Sequence, residues 1–443
     1  MTPAGSLGRS DTDALLRSIV DEVSTIGMLD DGATHRLAYS AEERRAHDVL
    51  AARFAGHAPG RFSTKVDEAG NRWITLIGRQ PRLPPVLTGS HLDSVPHGGA
   101  WDGALGVYSG AVALLQLAEG ESPLRSISLI AFASEESPRF AQSAYRFGSR
   151  AIAGRIDRED VYRLVDDGGI TLADAMQALA MDPRLVADAF VPPSQFHALL
   201  ELHIDQGLLL KQAGLPVSAV SAITGSCRLR VTVVGQADHS GAARMSARRD
   251  ALAAASEIVL AAERIAKADP HDDLVLTVGA IRVEPGAVSV VPGLAELTVD
   301  IRSVDAATMD AAQQGIRAAI ADIAQTRRVE ATIGVIRDVA PIAMSEHVID
   351  VTLSALRDNG LPAKRMPSHA GHDTGSFAGH PRLGMIFVRN DSGRSHSPDE
   401  HIAWADAVAG TDVLRSSLTA LANEAAGAHP AVSTATTIPE GEQ

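Results

Sequence analysis

The chain has 443 residues, 45% hydrophobic but only 4% aromatic, so Ala, Val, Ile and Leu must build most of a core sized for two or three domains. Lys and Arg number 40 against 54 Asp and Glu, and the resulting net charge of −14 argues against a dominant nucleic-acid surface. A single cysteine, Cys227, excludes an internal disulfide and a thiolate zinc cluster, which leaves 16 histidines and the carboxylates to carry any metal chemistry.

In chain order, residues 1–12 lack the apolar run of a secretory signal. No window approaches about 18 apolar residues, so a cytoplasmic protein without a membrane span is expected. Short apolar runs at 72–77 and 86–92 read as strands, 103–118 has helical spacing, and 126–133 and 198–204 read as buried strands. This alternation points to a mostly parallel sheet, which binds ligands beyond its carboxyl ends. Three of these runs end in polar residues there: His91, Glu135–Glu136 and His203. From Cys227 the texture changes to strand 229–234, helix 250–267, strands 274–283 and 295–301, helix 306–326 and strand 329–335, the split βαβ order of a ferredoxin-like unit. Helix 349–357, strand 384–388 and helix 404–423 follow. The expected fold class is α/β. A catalytic domain with a central mixed, mostly parallel sheet (1–222 and 337–424) is interrupted by an inserted ferredoxin-like α+β domain (223–336), and residues 425–443 form a flexible tail.

Candidate chemistry gathers at five places. His91 ends a strand, and Asp93, two residues on, can face one of its ring nitrogens and fix the tautomer that a metal needs. Asp102 opens a helical run, so it reads either as an N-cap or as a carboxylate able to bridge two cations. Glu135 and Glu136 follow a buried strand; adjacent acids there are costly unless positive charge lies between them, and the pair suits one metal ligand beside one general base. His203 ends another strand and His396 sits in a polar loop. Together His91, Asp102, Glu136, His203 and His396 form a set of N and O donors suited to two first-row divalent ions sharing one carboxylate.

This set, with the text TGSHLDSVPHGG, ELHIDQG, ADHSGAARMSARRDAL, GHDTGSFA and SHSPDE, resembles the M20 metallopeptidase superfamily. Within it, the chain is similar to the hydantoinase/carbamoylase branch of N-carbamoyl-L-amino acid hydrolases, allantoate amidohydrolases and β-ureidopropionases. The resemblance spans about residues 11–421. It implies that His91 and His203 bind one metal, that Glu136 and His396 bind the other, and that Asp102 bridges them. Zn2+ is the first expectation, with Mn2+, Co2+ or Ni2+ as alternatives. It further implies Glu135 as general base and then acid, Asp93 as the residue orienting His91, and an inserted domain that dimerises or acts as a lid. His239 would contact the substrate or oxyanion, Arg302 would hold the substrate carboxylate, and Gln206 would touch the substrate beside His203. Ser289 stands where relatives usually carry Asn, which puts the carboxylate clamp in doubt. Trp101, Arg244 and His372 lie near this text without an assigned role. The implied activity is cleavage of the C–N bond of a small anionic N-carbamoyl, ureido or related N-substituted amino acid by a homodimer. An M20 aminopeptidase or N-acyl-amino acid deacylase is the alternative, and a non-catalytic binding protein the remote one.

Overall fold

The computed structural model describes residues 9–425 except 137, 141–144 and 272. The tail expected at 425–443 thus lies outside the described residues from 426 onward, as does the start of the chain up to 8. The chain divides into two compact units, residues 1–221 with 344–443, and residues 222–343.

In the first unit the sheet runs, in spatial order, Phe62–Val66, Arg72–Leu76, Ile127–Phe132, Val86–His91, Ala198–Ile204, Leu383–Val388 and Val217–Ile223. The four strands from Ile127–Phe132 to Leu383–Val388 pair in parallel, and those on either side pair antiparallel. Every residue of those four strands is buried. This is why they read as unbroken apolar runs instead of alternating ones. Register aligns their carboxyl ends: His91 lies opposite Phe132, and His203 opposite Phe387. The helix Ala104–Glu119 is buried almost all round. It packs so closely on the sheet that a Cβ on Gly106 would stand 2.1 Å from the Leu202 carbonyl oxygen.

Two helices that the sequence reading passed over, Arg9–Val23 and Ala41–Ala55, precede the first strand. Short helices between Phe147 and Gln195 build a satellite core around Tyr39, Phe140, Phe147, Leu172 and Met176.

The second unit orders its strands Glu330–Val339, Gly225–Val234, Leu294–Ser303 and Val275–Glu284, all antiparallel. Helices Ala251–Lys267 and Ala306–Arg327 supply its core together with Cys227, Leu229, Val231 and Val233. Asp250, expected as a first helical residue, is the N-cap, accepting from Ala253 N at 3.0 Å. The last strand runs four residues beyond the expected 335, past a register shift between Val335 and Arg337. Burial pushes the Cys227 thiol up to about 11, so it is a packing residue and not a nucleophile.

One buried group in the first unit makes stability pH-dependent. His47, on the Ala41–Ala55 helix, is 2% exposed, and its Nε2 has no hydrogen-bond partner among the described residues. Burial, then the nearby Arg72, Arg36 and Arg44, push it down to about 3. An unfolded histidine titrates at about 6.5. As pH falls from that value towards 3, the unfolded chain takes up a proton that the folded chain refuses, and stability is lost. The loss from this group reaches about 2 kcal/mol by roughly pH 5. His47→Leu should therefore flatten the fall in melting temperature between roughly pH 7 and pH 5. Parallel curves for the variant and wild type would count against this assignment.

Candidate metal centre

The parallel strand ends deliver two histidines in a defined tautomer. The Nδ1 of His91 lies 3.0 Å from the Asp93 carbonyl, and the Nδ1 of His203 lies 3.0 Å from the Ile204 carbonyl. A carbonyl only accepts, so each Nδ1 carries hydrogen, and Nε2 is the nitrogen each ring turns towards Asp102 and would offer to a metal on losing its proton. The side chain of Asp93 does less for His91 than the spacing suggested, its Oδ1 being 3.6 Å from Nδ1. It accepts instead from Glu135 N and Glu136 N, both at 3.0 Å, and so ties down the turn that carries the two acids.

Asp102 stands between the two histidine sets. Its Oδ1 is 3.1 Å from His203 Nε2 and 4.0 Å from His91 Nε2, and its Oδ2 is 3.3 Å from His396 Nε2. It is not the cap of the following helix; Gly103 holds that position, with φ of 66° and no side-chain cap. A Cβ on Gly103 would lie 2.2 Å from His91 Nε2, so only glycine leaves room for the imidazole. Glu136 Oε1 is 2.9 Å from His396 Nε2, and Glu135 Oε2 is 3.9 Å from His91 Nε2. Three donor groups result, His91/Asp102/His203, Asp102/Glu136/His396 and His91/Glu135/Glu136, the ligand atoms of each lying within 4.8 Å of one another. A fourth, Glu201/His203/His372, shares His203.

The electrostatics fit a site built for cations. Asp102 Oδ1 is buried between the Nε2 atoms of His203 and His91. Hydrogen bonds to Asp102 and Glu136 raise His396 to about 10. Burial presses the His203 imidazolium down, but the Asp102 carboxylate outweighs it and holds the ring at about 9. Burial, then Glu136 and Asp373, drives the Glu135 carboxyl well above its ordinary range. Burial and Asp93 likewise push Glu43 up to about 8. Nearby acids thus outnumber protein cations, and this hard N/O donor set suits divalent ions.

Several partners escaped the sequence reading. Glu400 accepts from Trp101 N at 2.7 Å and Asp102 N at 3.0 Å, and so fixes the loop bearing Asp102. Its position four residues after His396 was the available signal. Glu201 accepts from Ser90 Oγ at 3.0 Å and from Thr374 N at 2.8 Å. His372 packs edge-on to His203 with ring centroids 4.5 Å apart. Gln206, expected at the substrate, donates to Asp102 Oδ2 at 2.8 Å, and Ser395 Oγ donates to the same oxygen. Trp101 meets Trp404 edge-on at 6.2 Å.

His239, Ser289 and Arg302 belong to the second unit. His239 and Ser289 are both exposed and neighbour each other across the pairing of Val290 with His239. The Nδ1 of His239 accepts from Gly241 N at 3.0 Å, which places the ring hydrogen on Nε2 as a donor. The half-buried Arg302 is held by Asp300 Oδ2 at 3.0 and 3.1 Å. Arg244 is exposed.

Residues 87–420 match the model of peptidase family M20/M25/M40, and the chain belongs to that family. Its enzymes use divalent metals, and this chain is a hydrolase acting on C–N bonds. It is 38% identical, over 89% of its own length and 94% of the relative's, to N-carbamoyl-L-amino acid amidohydrolase of Geobacillus stearothermophilus. It is 32% identical, over 88% of its length and 94% of the relative's, to allantoate amidohydrolase of Escherichia coli strain K12. Among solved structures, a hydantoinase/carbamoylase family amidase from Burkholderia multivorans superposes with a TM-score of 0.80 at 30% identity, covering 93% of this chain and 98% of that one. No helix among the described residues is long and apolar enough to cross a membrane.

The close approach at Gly103 yields a direct check. Gly103→Ala should keep the fold but push the His91 ring aside, lowering divalent-metal affinity by about 10–100-fold in calorimetric titration of stripped protein. Wild-type affinity in the variant would remove His91 Nε2 from the site.

Proposed function

We propose that the chain is a dinuclear-metal amidohydrolase that cleaves the C–N bond of an N-carbamoyl, ureido or related N-substituted amino acid. The observation that carries this reading is Asp102, common to two three-residue donor groups with Glu135 beside one of them. His91 and His203 would hold one ion, Glu136 and His396 the other, and Asp102 would touch both. When bound, the ions polarise the scissile carbonyl and acidify water; Zn2+ is the first candidate, then Mn2+, Co2+ or Ni2+.

Glu135 is the general base. Its buried carboxyl has a raised proton affinity, which suits taking a proton from the attacking water and passing it to the leaving nitrogen as the C–N bond breaks. Asp93 aims the Glu135–Glu136 turn through its two amides. His239 would offer its Nε2–H to an oxyanion, and Arg302, which already donates to Asp300, would hold the substrate carboxylate with its remaining N–H groups. Ser289 supplies one hydroxyl to that clamp, where an amide would supply two donors and an acceptor. Gln206 holds Asp102 and, through its remaining oxygen, reaches the substrate.

The inserted unit is read as the dimerisation or lid domain, with Ile281, Val335 and Ile336 as exposed apolar residues available for burial. The setting is cytoplasmic.

The metal-loaded protein should turn over at least one of N-carbamoyl-L-amino acids, allantoate and 3-ureidopropionate faster than dipeptides or N-acetyl-amino acids. Turnover of the acyl compounds alone would favour the M20 aminopeptidase or deacylase reading. Glu135→Gln should lower kcat by about 10²–10⁴-fold, with metal content retained. Arg302→Ala should raise KM strongly for carboxylate substrates and little for neutral amides. Equal effects on the two substrate classes would sink the clamp assignment.

A further inference from the structure

Glu43 lies far along the chain from every motif that carries chemistry. It sits in the first turn of the helix Ala41–Ala55, whose N-cap Ser40 accepts from Glu43 N at 3.1 Å. In sequence it looks like part of a solvated charge run, yet it is 3% exposed. Its two oxygens serve two different loops: Oε2 accepts from Tyr39 N, and Oε1 accepts from Ser134 N at 3.1 Å.

Both of those donors are strained. Tyr39 has φ of 52° and Ser134 φ of 60°, the left-handed region that residues with a Cβ enter only when their surroundings hold them there. Ser134 N is also the first of three consecutive amides that all end on buried carboxylates, because Glu135 N and Glu136 N go to Asp93. The strand Ile127–Phe132 thus runs into a turn whose three amides are held by Glu43 and Asp93. That turn sets where Glu135 leaves the sheet, 3.9 Å from His91 Nε2.

We propose that Glu43 is a positioning residue for the reaction, holding Ser134 in its left-handed conformation and thereby aiming Glu135. The proposal rests on the reading of Glu135 as the base. The job uses both oxygens, since each accepts an amide hydrogen. Glutamine has one side-chain acceptor and must abandon one loop, and aspartate is one methylene shorter.

The test compares metal-loaded wild type with Glu43→Gln by hydrogen–deuterium exchange, metal stoichiometry and steady-state kinetics. Amides of 134–136 should exchange at least about tenfold faster in the variant, while the strands Val86–His91 and Ala198–Ile204 stay protected. Metal stoichiometry should hold, and kcat should fall by about 10–100-fold with KM within about threefold. Should Glu43→Gln not fold, Glu43→Asp is expected to give the same local pattern. Unchanged exchange at 134–136, a rise spread evenly over the unit, or kcat within about twofold of wild type would overturn the proposal. If the wild type hydrolyses none of the ureido or acyl substrates, the functional reading fails, while the exchange pattern still decides whether Glu43 holds the turn.

Discussion

The site depends on one carboxylate placed where parallel strands end. Parallel register brings His91 and His203 to the same edge of the sheet, and each ring gives its Nδ1 hydrogen to a main-chain carbonyl. Two Nε2 atoms therefore face the same space, and Asp102 fills it. The loop that carries Asp102 needs Gly103 to clear the His91 ring and Glu400 to hold its amides. From the far side, His396 reaches the other oxygen of the same carboxylate. Removing Asp102 would leave the histidines on strand ends and in a loop with nothing in common to face.

Around this centre the protein uses buried acids as backbone clamps. Asp93 takes two amides of the Glu135–Glu136 turn, Glu400 takes two from the Trp101–Asp102 loop, and Glu201 takes Thr374 N. An ionised carboxylate offers several acceptor sites and no hydrogen, so it can gather successive amides that no neutral side chain could satisfy. Of these clamps Glu201 also adds to the raising of His203, which Asp102 dominates, while His396 is raised by Asp102 and Glu136. The overall acidity of the chain is no obstacle to an anionic substrate if cations occupy the centre.

What could be read from sequence follows the same physics. Strands buried on both faces appear as apolar runs, and a polar residue ending such a run stands out, which is how His91, Glu135, Glu136 and His203 were found. The succession of strands and helices from Gly225 to Val339 was legible because period-2 and helical patterns alternate cleanly there. His396 lies in a loop with no periodicity, and only family-like text singled it out. Glu43 and Glu201 could not be found by spacing, because a carboxylate that bonds main-chain amides leaves no pattern in the sequence of its partners. Asp93 and Gln206 were picked out, but their hydrogen bonds go to the turn amides and to Asp102. The helices Arg9–Val23 and Ala41–Ala55 are rich in charged residues, and their apolar faces are narrow enough to pass as surface.

The same burial bears on whether the pocket is an active centre or an inherited fold feature. Glu135 is 4% exposed, and its Oε1 has no hydrogen-bond partner among the described residues. Glu136 and Asp373 add like charge to an already buried carboxyl. A core free to optimise stability would replace such a residue with an apolar or amide side chain, since a buried acid among like charges costs stability. Asp93, by contrast, is fully used by the turn, so the architecture maintains Glu135 in place and leaves its oxygen unsatisfied. A binding protein that merely recognised an anion would gain nothing from this arrangement, because a buried carboxyl at the site repels its ligand. The base role proposed for Glu135 gives such a buried carboxyl a use.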